Sequence, residues 1–216
     1  MFFFPIGCLI FVLLFLSLPL LFFLAFFKIV SFSFEKLGLS PGTAILALIL
    51  ILLGSLVNIP LTKRRNFYIE KVSLLGLFRK PAVRQQGVSI NLGGAVIPII
   101  ISLYFLTRVP LKPAVAATIL MIIISNSLAR VIPGRGIALP AIIPPIFSAL
   151  ISLVLSPGFA APTAFISGVT GVLIGADLLK IGEVQKVSPG MLSIGGAGVF
   201  DGIFLVGIAS VFLTSF

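Results

Sequence analysis

The sequence predicts an all-α fold, a polytopic transmembrane helix bundle of about seven spans, several of them kinked by proline or glycine. Three observations predict it. Of 216 residues, 59% are hydrophobic and only 9% are charged, which leaves too little polar surface to face water. Mean hydropathy is +1.31. Apolar runs of about the length a span needs, roughly 20 residues, recur along the chain and are separated by basic clusters. Residues 1–216 therefore read as a single transmembrane domain, with the lipid bilayer as its surroundings.

The runs are roughly 2–27, 43–61, 90–107, 113–129, 137–155, 163–180 and 191–214. The first has no basic stretch before it and is too long for the apolar part of a cleavable signal, so it reads as a retained span. The fourth and sixth are the shortest, short enough for tilted or partial spans. Lysine and arginine set the orientation. One side holds Lys63, Arg64, Arg65, Lys71, Arg79, Lys80, Arg84, Arg130, Arg135, Lys180 and Lys186, against Lys28, Lys36, Arg108 and Lys112 on the other. The expectation is a multi-pass cell-membrane protein with its N-terminus cytoplasmic and its C-terminus outside.

The one long polar connection, 63–89, mixes Phe67, Tyr68, Val72, Leu74, Leu75, Leu77 and Phe78 with basic residues. That composition suits an interfacial cytoplasmic segment near anionic headgroups. A solvated basic loop that merely sets topology is the alternative.

The net charge of +10 does not point to nucleic acid. The basic residues lie between apolar runs, without a stripe of interleaved aromatics. The chain has no histidine and a single cysteine, Cys8. A histidine-dependent triad and a histidine-ligated metal are thereby excluded, as is an intrachain disulfide. No cofactor is expected.

Pro98, Pro140, Pro144 and Pro145 interrupt apolar runs. Each removes a backbone donor and kinks or breaks a helix, and in a bilayer the freed carbonyls need partners. The stretch from Ala138 to Pro145 is therefore a strongly kinked or partly unwound span. Gly168, Gly171 and Gly175 are placed on one helical face, and Gly195, Gly196, Gly198, Gly202 and Gly207 crowd together in the last run. Small residues let helix backbones approach closely. They also leave room for an extended backbone such as a bound substrate segment.

Only five residues are acidic, and the two aspartates, Asp177 and Asp201, both fall in apolar runs. A carboxylate in hydrocarbon is costly, and by default marks a functional site. The two runs are joined by a short polar loop, whose midpoint between the aspartates is Pro189. If both arms are helical, the two carboxyls lie at similar depth. Converging carboxyls share one proton, and such a dyad activates water and protonates a leaving amine without histidine or metal. The alternative for Asp177 is an ion pair with Lys180, three residues on. Asp201 has no local basic partner, and Arg130 is the nearest candidate on another span.

The segments Asn91 to Pro98, Gly136 to Ala141, Gly175-Ala176-Asp177 and Gly195 to Gly202 resemble a prokaryotic membrane-protein family of unknown function over about 90–210. The aspartate pair also resembles that of the presenilin and signal peptide peptidase class of intramembrane aspartyl proteases. Ala138-Leu139-Pro140 is similar to part of that class's Pro-Ala-Leu motif. The resemblance implies that Asp177 and Asp201 are catalytic. Departures are that Ala176 stands where the class has tyrosine, that Gly198 lies three residues before Asp201, and that the Ala-Leu-Pro segment precedes the aspartates.

Three functions compete. In the first, an intramembrane aspartyl protease, Gly175, Gly195, Gly196, Gly198, Gly202, Ala138, Leu139 and Pro140 hold an unwound transmembrane-helix substrate. The second is a cation- or proton-coupled transporter or channel using the same aspartates. The third is a non-catalytic scaffold in which they pair with basic residues. Substrate identity and oligomeric state are not written in the sequence.

Overall fold

The computed structural model describes residues 6–62, 65–72, 79–133, 136–187, 191–196 and 202–215. Most of the chain is helical, as the composition requires. The helices are α1 (Ile6–Lys36), α2 (Pro41–Gly54), α3 (Ile97–Leu106), α4 (Leu111–Leu128), α5 (Ile143–Leu155), α6 (Ala160–Val172), α7 (Ile181–Val187) and α8 (Gly202–Leu213). A π-helical turn, Leu92–Val96, leads into α3, and a second, Leu173–Leu178, prolongs α6. Each of the seven apolar runs contains one helix, and α7 follows the sixth.

Local chemistry explains the boundaries. Ser40 caps α2 by accepting the Thr43 N–H, with Pro41 in the first turn, where its missing donor costs nothing. Pro98 sits in the first turn of α3, and Pro144 and Pro145 in the first turn of α5. The Ala138–Pro145 stretch is thus unwound rather than kinked: residues 139–142 are not helical, and α5 begins after them. Pro19, by contrast, lies inside α1.

Among the described residues, three segments are long and apolar enough to cross a membrane: Ile10–Lys36, Leu111–Leu128 and Pro157–Val187. The apolar helices Pro41–Gly54, Leu92–Leu106, Ile143–Leu155 and Ile203–Leu213 are shorter. At 1.5 Å per residue, α2 is only about 21 Å long, less than the roughly 30 Å hydrocarbon layer.

The composition did not foresee the strands. Helices α2 and α3 are joined through β1 (Asn58–Pro60), β2 (Arg65–Val72) and β3 (Arg79–Asn91), and both β1 and β2 run antiparallel to β3. Arg65–Val72 and Arg79–Asn91 therefore form an antiparallel strand pair. The interfacial character expected from the sequence for 63–89 rests on side chains between 63 and 86 that lie outside the described residues. A small hairpin, β4 (Arg130–Ile132) with β5 (Gly136–Ala138), joins α4 to α5. Strand β6 (Met191–Ile194) pairs parallel with Gly87–Ile90 of β3. Ser89 and Ile90 pair with β1 as well as β6, so β1 and β6 flank β3 on opposite edges. Among the described residues, β6 has no strand on its outer edge.

Helix α6 is the centre of the bundle, packed by α3, α4, α5 and α8. Every residue from Thr163 to Val169 is buried, as expected for a helix enclosed on all sides. Phe165 meets Phe105 edge-on at 6.1 Å, and Val206 and Val211 of α8 complete this core. The outward faces carry exposed Ile100, Leu103, Ile119, Ile123, Leu150 and Val154, a surface suited to lipid. Helix α1 joins the bundle only near its C-terminal end, where Val30, Ser33 and Phe34 are buried. Before that its apolar residues are mostly exposed, with Phe26 partly buried against the core.

The three glycines of α6 do not share one partner. Gly171 and Gly175 press on α4, at Met121 and at the Ile122 carbonyl, whereas Gly168 faces Ser148, Val206 and Ser210. Gly93, in the first π turn, lies so close to α2 that a Cβ would collide with the Ile51 carbonyl oxygen and the Ser55 nitrogen. Gly93→Ala should therefore lower stability by about 3 kcal/mol or more. Gly182→Ala, whose added Cβ meets no atom within 4 Å, should be neutral or stabilise by up to about 1 kcal/mol. Thermal unfolding of the two variants in detergent checks the contrast.

Candidate functional site

The second π turn carries Asp177. A π turn accommodates one more residue than an α turn and rotates the helix beyond it, a feature frequent at functional sites. Here the turn coincides with Gly175 against α4, where any side chain would meet the Ile122 carbonyl and Ser125. The half-buried Asp177 side chain does not pair with Lys180, which bridges Glu183 at 3.1 Å instead. Asp177 Oδ2 accepts the backbone N–H of Gly195 at 3.1 Å.

Gly195 directly follows β6, in a turn. It has φ +78°, and Gly196 has φ +66°, conformations open to glycine at little cost. A Cβ on Gly195 would lie 2.6 Å from Ala95 Cβ and 2.8 Å from Ala95 N. Gly195 is thus wedged between the first π turn and Asp177 of the second.

A chain of hydrogen bonds fixes the strand that delivers Gly195. Asn91, with no exposed surface, donates from Nδ2 to the Ser55 carbonyl at 2.7 Å and to Asn58 Oδ1 at 3.2 Å. Its Oδ1 accepts the Gly94 N–H at 2.7 Å, capping the π turn. Ser193 Oγ on β6 stands 2.7 Å from Asn58 Oδ1 and 2.8 Å from the Gly196 carbonyl, so the two acceptors share its single proton. Ser89 Oγ donates to the Leu192 carbonyl at 3.2 Å. One network therefore ties the end of α2, strands β1, β3 and β6, the first π turn and the glycine turn beside Asp177.

Of the residues proposed from sequence, Asp177, Gly195 and Gly196 come together. Gly175 lies two residues away and serves helix contact with α4. Gly202 is the first residue of α8. Gly198 and Asp201 lie outside the described residues. Ala138 ends β5, Leu139 packs against the core and Pro140 is exposed. The neighbouring strand β4 rests on α7, the helix that follows Asp177. The helical-hairpin expectation needs correction, because the arm returning from the loop is a strand and a glycine turn. Gly195 is the described residue of that arm that reaches Asp177.

Sequence reasoning missed Asn58, Asn91 and Ser193. A signal existed: Asn91 directly precedes Leu92-Gly93-Gly94 at the head of an apolar run, the position of a helix cap. Among the described residues, no three His, Cys, Asp or Glu side chains gather as a metal site would need.

A family model described as "Protein of unknown function (DUF1614)" matches residues 52–213. The match begins well before the position near 90 that the sequence segments suggested. No curated protein and no solved structure matches the chain, so nothing in these comparisons supports the likeness to the presenilin class.

Asn91→Leu should leave the Ser55 carbonyl and the Gly94 N–H without their buried partner. The expected cost is about 2–4 kcal/mol, measured as a fall in thermal stability in detergent.

Proposed function

The chain belongs to the DUF1614 family, whose description names no activity, and we propose from its own residues that it is an intramembrane aspartyl protease. Asp177 and Asp201 are the catalytic pair. The observation that supports this reading most is the placing of Asp177 against the end of β6, a strand that among the described residues has no strand on its outer edge, in the segment that continues to Asp201. Helix α8, which starts directly after Asp201, packs on the same π turn that Gly195 touches.

In this reading a transmembrane substrate unwinds locally and lies extended beside β6. Strand addition supplies main-chain hydrogen bonds, which the unwound segment needs at membrane depth. The two carboxyls share one proton. The ionised one takes a proton from water as the water oxygen bonds to the scissile carbonyl carbon. The protonated one donates to the carbonyl oxygen. Collapse of the tetrahedral intermediate breaks the C–N bond, and a proton passes to the leaving amine. The Gly195 N–H holds Asp177 Oδ2 and so orients its carboxyl for this exchange.

The same reading takes all seven apolar helices as passes through the cell membrane, with the short ones drawing the bilayer thinner around them. The sheet and Asp177 lie toward the cytoplasm, the N-terminus inside and the C-terminus outside, following the lysine and arginine bias. A second reading, a cation- or proton-coupled transporter, draws on the unwound 139–142 stretch and the two π turns, since interrupted helices also build transport sites.

Reconstituted into liposomes with single-span reporter proteins, the wild type should cleave them. Asp177→Ala and Asp201→Ala should each slow cleavage by about a thousandfold or more. Cleavage that survives Asp201→Ala contradicts the proposal. Ion flux without cleavage, lost in Asp201→Asn, favours the transporter.

A further inference from the structure

Helix α1 packs on α8 near its own C-terminal end. Val30 and Phe34 are buried there, and Ser33 Oγ lies 3.4 Å from the Ile208 carbonyl of α8. Beside this contact the two helices border an open groove of about 680 Å³, within the roughly 300–1,000 Å³ of small-molecule sites. Phe32 and Phe212, which meet edge-on at 6.1 Å, line it where the helices join.

Along α1 the lining follows the helical repeat, with Leu24, Lys28, Ser31 and Glu35 in one row. Residues 10–27 carry no charge. At 1.5 Å per residue that stretch is about 27 Å long, close to the roughly 30 Å hydrocarbon layer. Lys28 is therefore the first charge beyond the hydrocarbon. Glu35, two turns further on, lies about 10 Å nearer the water. The headgroup zone on each side of a bilayer is about 5–8 Å deep, and the row runs through it once the Lys28 side chain extends toward the surface. The two charges stand too far apart along the helix to pair, since helix side chains meet at i,i+3 and i,i+4. The adjacent cation, Lys36, is turned over the Phe32 ring, 5.2 Å from its centre.

From the bilayer centre outward the groove is thus apolar, then cationic, then anionic. A phospholipid whose headgroup ends in an ammonium has the complementary order: acyl chain, phosphate, amine. We propose that the groove holds one phosphatidylethanolamine molecule. An acyl chain lies along Leu24 and Phe27, and the Lys28 ammonium donates to the phosphate. The lipid's primary ammonium donates to the Glu35 carboxylate. Phosphatidylglycerol would bring no cation to Glu35, and phosphatidylcholine a cation without N–H donors. The site rests on α1 crossing the bilayer and stands whether or not the protease reading does.

The chain contains no tryptophan, so one introduced tryptophan reports on its surroundings. Full-length Phe27→Trp protein, with the reporter in the groove, is reconstituted into bilayers that carry the same share of one lipid brominated on its acyl chains. Leu14→Trp, on the exposed part of α1 away from the groove, is the control. Quenching at position 27 should give phosphatidylethanolamine a relative affinity about two- to fivefold above phosphatidylcholine and phosphatidylglycerol, as an exposed ion pair supplies. Quenching at position 14 should be equal for all three. Adding Glu35→Gln to Phe27→Trp should abolish the preference. Equal quenching of position 27 by the three lipids means that bulk lipid covers the groove, and overturns the proposal. So does a preference for phosphatidylglycerol, or one for phosphatidylethanolamine that survives Glu35→Gln. Absence of quenching at 27 alone means that a helix of a second copy fills the groove. Absence at 14 means that α1 lies outside the bilayer, and either result also overturns the proposal.

Discussion

The approach of the Gly195 backbone to two π-helical turns is the constraint on which the architecture around Asp177 depends. On one side Gly195 touches Ala95, and on the other its N–H reaches the Asp177 carboxyl. The Ala95 contact leaves no room for a side chain on Gly195, and the backbone there is left-handed. Each π turn is itself pressed against a helix through a glycine, Gly93 on α2 and Gly175 on α4. Removing side chains at these points trades apolar burial for backbone proximity. Such proximity lets small residues hold helices together where lipid gives no hydrophobic drive.

Strands within a predominantly apolar protein raise the question of where their backbone groups find partners. The answer here is local and nearly closed. Strand β3 is paired on both edges over Ser89 and Ile90. Asn91 takes the carbonyl at the end of α2 and the N–H of the first π turn, groups that helix termini otherwise leave unpaired. What stays open is the outer edge of β6 among the described residues, beside the aspartate. An open edge is a liability in a soluble protein. In the proposed protease it is the place where an unwound substrate backbone would satisfy its own groups.

The helices were legible because hydrophobic runs of span length leave few alternatives. The strands were hidden for the same reason. Val88-Ser89-Ile90-Asn91 alternates apolar and polar residues, and Met191-Leu192-Ser193-Ile194 is apolar but for Ser193, and each lies beside an apolar run. Over so few residues the two periods cannot be told apart. Asp177 stood out as an acidic residue within an apolar run. Asn91 did not, because a single neutral amide reads as ordinary until its three hydrogen bonds are seen. Gly168, Gly171 and Gly175 do lie at close helix contacts, but not on one shared face. Gly168 differs from Gly171 and Gly175 only in which neighbour lies beyond it, and that is set by the packing of α4, α5 and α8 rather than by spacing along α6.

The proposed activity requires that Asp177 and Asp201 form one site. The direct measurement is disulfide formation in native membranes between Asp177→Cys and Asp201→Cys, with Cys8→Ser removing the only other thiol. A disulfide needs Cβ atoms within roughly 3.5–4.5 Å of each other. Efficient crosslinking is the predicted result, and it would place the two carboxyls face to face. If each cysteine reacts separately with a soluble thiol reagent while no crosslink forms, the aspartates are independent and the dyad is contradicted.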